Sequence, residues 1–242
     1  MYKNRLGFSC YMMIILTTLT ASEVARADLL LDKVVVIFDG SKSTKKDVSV
    51  INDNSDERLF VSVEPFEVEA PGTKDQTLKA VAIDDNPAFL ATPSKLIVEP
   101  GSSSVVRLLN LQPESTQERV YRINFLPIQK PPEIDDDVDE GVAPMVEILV
   151  AYQVLAIVLP PNPEPKPIVT RTGNVISFSN QGNANYLLTD GKQCNPIGSS
   201  KCVDLPGHRV YAGSSWSVEL PFDGPAQYGL RTQSGTRALI VE

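Results

Sequence analysis

Apolar residues along this chain recur in short runs rich in Val, Ile, Leu and Thr, punctuated by nineteen prolines and fourteen glycines. No long segment places them at a 3.6-residue period, so helix is expected to be a minor component. Strands are predicted over 29–38, 47–51, 59–65, 95–98, 104–109, 119–126 and 145–159. Several are bounded by turn chemistry: Asp39-Gly40, Asn52-Asp53-Asn54, Glu99-Pro100-Gly101 and Gln112-Pro113. Seven short strands at this spacing read as a β-sandwich. From Pro160 to Pro167 proline then fills five of eight positions, the composition of a stiff, extended connector. Strand patterns restart beyond it, at 175–179, 185–190, 216–220, 227–232 and 238–241. The expected architecture is all-β, with a first domain over 28–160, a proline-rich linker over 161–167 and a smaller domain over 168–242.

The segment 145–159 is about twice the usual strand length. Its even positions include Val146, Ile148, Val150, Tyr152, Val154 and Val158; its odd positions include Glu147, Leu149, Ala151, Gln153 and Leu155. The first half keeps one apolar face, and the second half is apolar on both. Two readings fit this pattern: a central, doubly buried strand, and an edge strand that reserves one apolar face for another polypeptide.

The N-terminus changes the picture by fixing a compartment. Lys3 and Arg5 precede an apolar stretch, Tyr11 to Thr20, that is too short to span a bilayer comfortably, and Ala25-Arg26-Ala27 offers small residues at a cleavage site. Residues 1–27 are therefore expected to be a cleaved signal peptide, leaving Asp28 first and no membrane anchor. Cys10 lies before the apolar stretch, which argues against a lipid anchor. Cleavage removes three cations and one anion, taking the net charge from −8 to −10. Such an acidic chain is a poor partner for nucleic acid, whose phosphates need Lys and Arg. Only Cys194 and Cys202 remain, eight apart, and in an oxidising compartment they read as a disulfide. His208 alone is left to help complete a zinc shell, so a metal half-site is disfavoured.

Catalytic signatures are lacking. His208 is the sole histidine, no Gly-x-Ser-x-Gly elbow occurs, and Gly101-Ser102-Ser103-Ser104 sits in a turn without an identifiable base. The cysteine pair lacks the Cys-x-x-Cys spacing of an oxidoreductase. The acidic run from Glu133 to Glu140 lacks the internal glycine of a calcium loop and reads as a solvated loop that orders on binding. No enzyme activity, cofactor or metal is expected.

The order of motifs carries a resemblance. Leu31 to Gly40 resembles the first strand of the PapD-like periplasmic fimbrial chaperones, and Ser49 to Val63 their following strand pair with its polar turn. From Phe89 to Leu108 the match is most specific: a proline, an apolar triplet, Pro-Gly, then Val106-Arg107-Leu108. Glu118 to Phe125 and the long segment from Val146 to Leu159 complete the first domain. Tyr121-Arg122, together with Ser179 to Asn185 ahead of the cysteine pair, is similar to the divergent class serving coli-surface-antigen and common-pilus fimbriae. The resemblance spans 29–242.

It implies two immunoglobulin-like sandwiches and a non-enzymatic role in the periplasm of a Gram-negative bacterium. Fibre (pilin) subunits would be held by donor-strand complementation and delivered to an outer-membrane usher. By alignment, Val146, Ile148 and Val150 would enter the subunit's groove, with Tyr152 flanking, and the same edge would allow free chains to self-associate. Other members of the superfamily grip the subunit's C-terminal carboxylate with an Arg on the first strand and a Lys on the long last strand. Here those positions hold Val35 and Leu155, which leaves Arg122 and Lys33 as candidate anchors. Leu159 and Gln227 likewise replace charged partners expected around Glu118. The alternative is that the chain is itself a fibre subunit or adhesin. Two complete-looking domains, and no spare donor extension before Leu29, argue against it.

Overall fold

The computed structural model describes residues 28–40, 43–81, 87–128, 149–194 and 201–242. The expected signal peptide, the acidic run, Val146 and Ile148 lie outside them. All the regular elements described are strands, in two sandwiches.

The first sandwich packs a sheet ordered β1 (Leu29–Leu31), β3 (Lys45–Asn52), β8 (Ser103–Asn110), β6 (Phe89–Thr92) on a larger one. That larger sheet runs β2 (Val35–Phe38), β10 (Tyr152–Val158), β9 (Arg119–Pro127), β4 (Leu59–Glu69), β5 (Thr77–Ala80), with β7 (Lys95–Val98) also on β4. Alternation puts Val48, Val50, Val106 and Leu108 inward from one sheet, and Val61, Val63, Tyr121, Ile123, Phe125, Val154 and Ala156 from the other. Within this core Phe89 stacks on Tyr121 at 4.2 Å and meets Phe38 edge-on at 5.9 Å.

The stretch predicted as one strand over 29–38 is two strands in opposite sheets. β1 pairs antiparallel with β3, whereas β2 pairs parallel with β10. The break comes at Asp32, whose Oδ1 accepts the Ser49 N–H at 2.8 Å and ends the β1 pairing. In the last strand, β10 spans Tyr152–Val158, and Leu149, Val150 and Ala151 are not in a strand.

The second sandwich sets β11 (Pro167–Thr172), β12 (Val175–Asn180) and β16 (Ser215–Glu219) against a second sheet. That sheet is ordered β14 (Cys202–Leu205), β13 (Tyr186–Cys194), β17 (Ala226–Thr232), β18 (Gly235–Val241), with β15 (His208–Val210) also on β13. Phe178, Tyr186, Leu188, Tyr228 and Leu230 fill its core. Cys194 and Cys202 face each other across β13 and β14 and form a disulfide.

The proline-rich segment is tied down at its far end. Pro167 already belongs to β11, the Lys166 and Glu164 N–H groups donate to Asn180 Oδ1 and Asn183 Oδ1, and Gln181 N–H donates back to Lys166 O. Gly182 makes this approach possible: a Cβ there would lie 2.1 Å from Glu164 O.

Candidate functional site

β10 is shared between two tasks. Along its whole length, Tyr152 to Val158, it pairs antiparallel with β9. On its other side β2 covers only Leu155 to Val158, with Leu155 N–H also donating to Val34 O. Among the described residues, none pairs with Tyr152, Gln153 and Val154 on this side, which leaves their backbone edge open. Val154, Ala156 and Val158 point into the core, and Tyr152 packs against it from the rim. By the two-residue period Val150 belongs to the same apolar series, yet it is 40% exposed. The alternating apolar series that fills this domain's core thus continues in sequence to an exposed residue.

The opposite face of this sheet looks toward the second domain and carries two rows. In the inner row Val120, Ile157 and Ile37 are in register across β9, β10 and β2. Ile157 and Leu159 are fully buried there against Ala184, with Leu155 and Tyr211 alongside. In the outer row Phe66, Arg122, Leu155 and Val35 are in register across β4, β9, β10 and β2. The positions at which the resemblance expects a paired Arg and Lys are thus direct neighbours, and both are aliphatic. Val35 is 46% exposed.

Arg122 stands one strand away from Leu155. Its Nη1 donates to Gln153 Oε1 at 2.8 Å, and Gln153 Nε2 donates in turn to Asn124 Oδ1 at 2.7 Å. Among the described residues the guanidinium meets no carboxylate. Lys33 differs: its ammonium sits 2.7 Å from Asp32 Oδ2 and donates to Asp47 O, at the β1–β3 side of the molecule. Asp47 itself accepts two hydrogen bonds from Arg107, which hold its carboxyl below the ordinary range. Of the two candidate anchors only Arg122 lies in the cleft between the two domains, on the sheet face that looks toward the second one.

The domains are joined at Glu118. Its Oε2 accepts from Asn185 N–H at 2.8 Å and from Asn185 Nδ2, and its Oε1 accepts from Ala212 N–H at 2.7 Å. Arg209 donates to Asn185 Oδ1 from behind. Burial pushes the Glu118 carboxyl above its usual range, against these hydrogen bonds and the Arg209 charge. Leu159 takes its place in the buried apolar cluster, and Gln227 is exposed on β17 opposite Lys192 and Ile240. Here the network consists of one carboxylate, an asparagine, backbone amides and, behind the asparagine, Arg209. Sequence reasoning singled out Glu118 but missed Asn185, Arg209 and Tyr211, which converge only through folding.

Among the described residues no group of His, Cys, Asp and Glu is placed to hold a metal, and no helix is long and apolar enough to cross a membrane. No protein-family model matches the chain, and no curated protein matches it. Solved structures do match. The class 5 fimbriae chaperone CfaA aligns over 88% of this chain and 98% of its own, at a TM-score of 0.61 and 17% identity. The E. coli chaperone DraB aligns over 90% and 98%, at 0.59 and 21%. A chain in the structure of the Salmonella enterica SafA pilin in complex with the SafB chaperone aligns over 90% and 97%, at 0.61 and 14%. The chain has the two-domain immunoglobulin-like fold of the fimbrial chaperones.

Proposed function

We propose that this protein is a periplasmic chaperone of fimbrial assembly, which captures incompletely folded fibre subunits and passes them to an outer-membrane usher. The half-covered β10 carries the reading. A subunit lacking its last strand exposes a groove that aggregates when left open. The free edge at Tyr152 to Val154 supplies main-chain hydrogen bonds, while Val146, Ile148 and Val150 enter successive pockets and Tyr152 flanks them. Each buried aliphatic side chain contributes about 1.5–3 kcal/mol, so three supply much of the apolar contribution. Energy retained in the incompletely folded subunit, and no catalytic step by this chain, drives later exchange at the usher. Arg122 takes the subunit's terminal carboxylate in place of the missing Arg and Lys. It lies one strand, about 4.8 Å, from Leu155 on the same face.

Co-expression with secreted proteins encoded nearby, followed by a periplasmic pull-down, tests this. A chaperone yields a soluble one-to-one complex. A chain that polymerises with itself and captures no subunit is a fibre component, and the reading fails.

A further inference from the structure

We infer that the cleft shelf formed by Val35, Leu155 and Arg122 selects subunits whose last residue is large and apolar. This rests on the carboxylate anchor proposed above and concerns what accompanies that carboxylate. The argument begins with strength. A single cation in a wet cleft holds a carboxylate only weakly, because an exposed ion pair gains little over solvation. Replacing two cations by aliphatic residues therefore moves the main source of affinity from charge to apolar contact. The replaced residues stand ready for it: Val35 and Leu155 face each other across β2 and β10, and Arg122 pairs with Leu155 from the other side.

The shelf is open on one side and closed on the other. In the inner row Val120 and Ile157 are buried, but Ile37 remains 41% exposed, as Val35 does above it. In that row the second domain covers Ile157, through Ala184 and Tyr211, and leaves Ile37 of β2 exposed. On the far side the hairpin between β4 and β5 reaches across to the second domain. Gly72, at φ +74°, lies so close to Tyr211 that a Cβ would come within 2.9 Å of its ring. Tyr211 in turn packs on the cluster of Ile157, Leu159 and Ala184. A chain end enters from the β2 side and stops at Arg122, with its last side chain over Leu155 and Val35. The occupant is a free C-terminus carrying both a negative charge and an apolar side chain, which matches a guanidinium that meets no carboxylate among the described residues, beside two aliphatic residues.

The test uses fluorescein-labelled decapeptides of alternating valine and threonine, with N-terminal lysines for solubility. They end in Leu, Phe, Ser or Asp, each as free acid and as amide, and are titrated with the full mature protein. Leu and Phe ends should bind at least about tenfold more tightly than Ser and Asp ends. That preference should fall below about threefold in Val35→Thr, whose site is exposed, and in Leu155→Thr, each checked for an unchanged melting profile. Amidation should weaken binding a few-fold in the wild type and not in Arg122→Gln. Equal affinity for all four ends, with the amidation penalty intact, overturns the shelf and leaves the anchor standing. An apolar preference without an amidation penalty overturns Arg122 as anchor and supports the shelf. No binding at millimolar peptide, while a co-expressed subunit is still captured, overturns the shelf.

Discussion

Asn185 turns both its backbone N–H and its side-chain amide toward one oxygen of Glu118, and so a single asparagine of the second domain satisfies half of a carboxylate in the first. Ala212 N–H satisfies the other oxygen. In Glu118→Ala these donors would lose their acceptor, so the variant should lose about 1–3 kcal/mol at neutral pH. The Glu118 carboxyl is raised by burial in the folded state, so its proton is held more tightly there than in the unfolded chain. The resulting stabilisation is fully present below the ordinary carboxylate value of 4.5 and is lost as pH rises through the raised one. The stability gap between wild type and Glu118→Ala should therefore widen as pH falls from 7 toward 4.5. Paired thermal melts across that range read it, and a gap that narrows refutes the assignment.

Val150 and Val154 belong to one alternating apolar series in the sequence but differ in cover: one is exposed, the other fully buried. Val150→Asp should leave the melting temperature nearly unchanged and abolish subunit capture, by placing an unpaired charge in an apolar groove. Ile148→Asp should behave likewise. Val154→Asp should unfold the first domain. Unfolding by Ile148→Asp would return the upstream segment to the status of an ordinary core strand.

Arg122 has only Gln153 for a polar partner among the described residues, so Arg122→Gln should cost the free protein less than about 0.5 kcal/mol. Capture of a co-expressed subunit should fall several-fold. Lys33→Gln should leave capture intact, because the ammonium is already engaged by Asp32 and Asp47 O. A pull-down in which Lys33 mattered and Arg122 did not would reverse the assignment.

The Cys194–Cys202 bond closes a loop of sequence separation eight in the second domain. Its reduction should lower that domain's stability by roughly 2–3 kcal/mol in the chain-entropy account. Protein purified from the periplasm and denatured without reductant should show no free thiol.

Much of this fold was legible because alternation and turn residues were strong where burial was one-sided. β8 and β9 were predicted nearly to their ends, since Val106, Leu108, Val120 and Ile123 sit in alternating or apolar runs between polar turns. β5 was missed: Thr77 to Ala80 is exposed throughout and is held in its sheet by pairing with β4, a contact without local signal. The division of 29–38 was missed because both halves are apolar and the break depends on Asp32 finding Ser49 in another strand. At the site, the absence of the paired cations was readable in the sequence. Where the remaining cation stands was not, because the β9–β10 register places Arg122 beside Leu155 and folding withdraws Lys33 to the opposite sheet.

The half-covered β10 also has a kinetic consequence. Tyr152 to Val154 are already extended and fixed on one side by β9, so on the proposed function the first hydrogen bonds with an arriving strand would order few new residues of this protein. Pairing would then begin at this edge and extend toward Val146, one residue pair at a time. Changes near Tyr152 would act on how fast a subunit is caught, and changes toward Val146 on how long it stays. Release would proceed in reverse, from the end farthest from this domain's core, where an incoming strand would gain its first foothold while the fixed end still held the subunit.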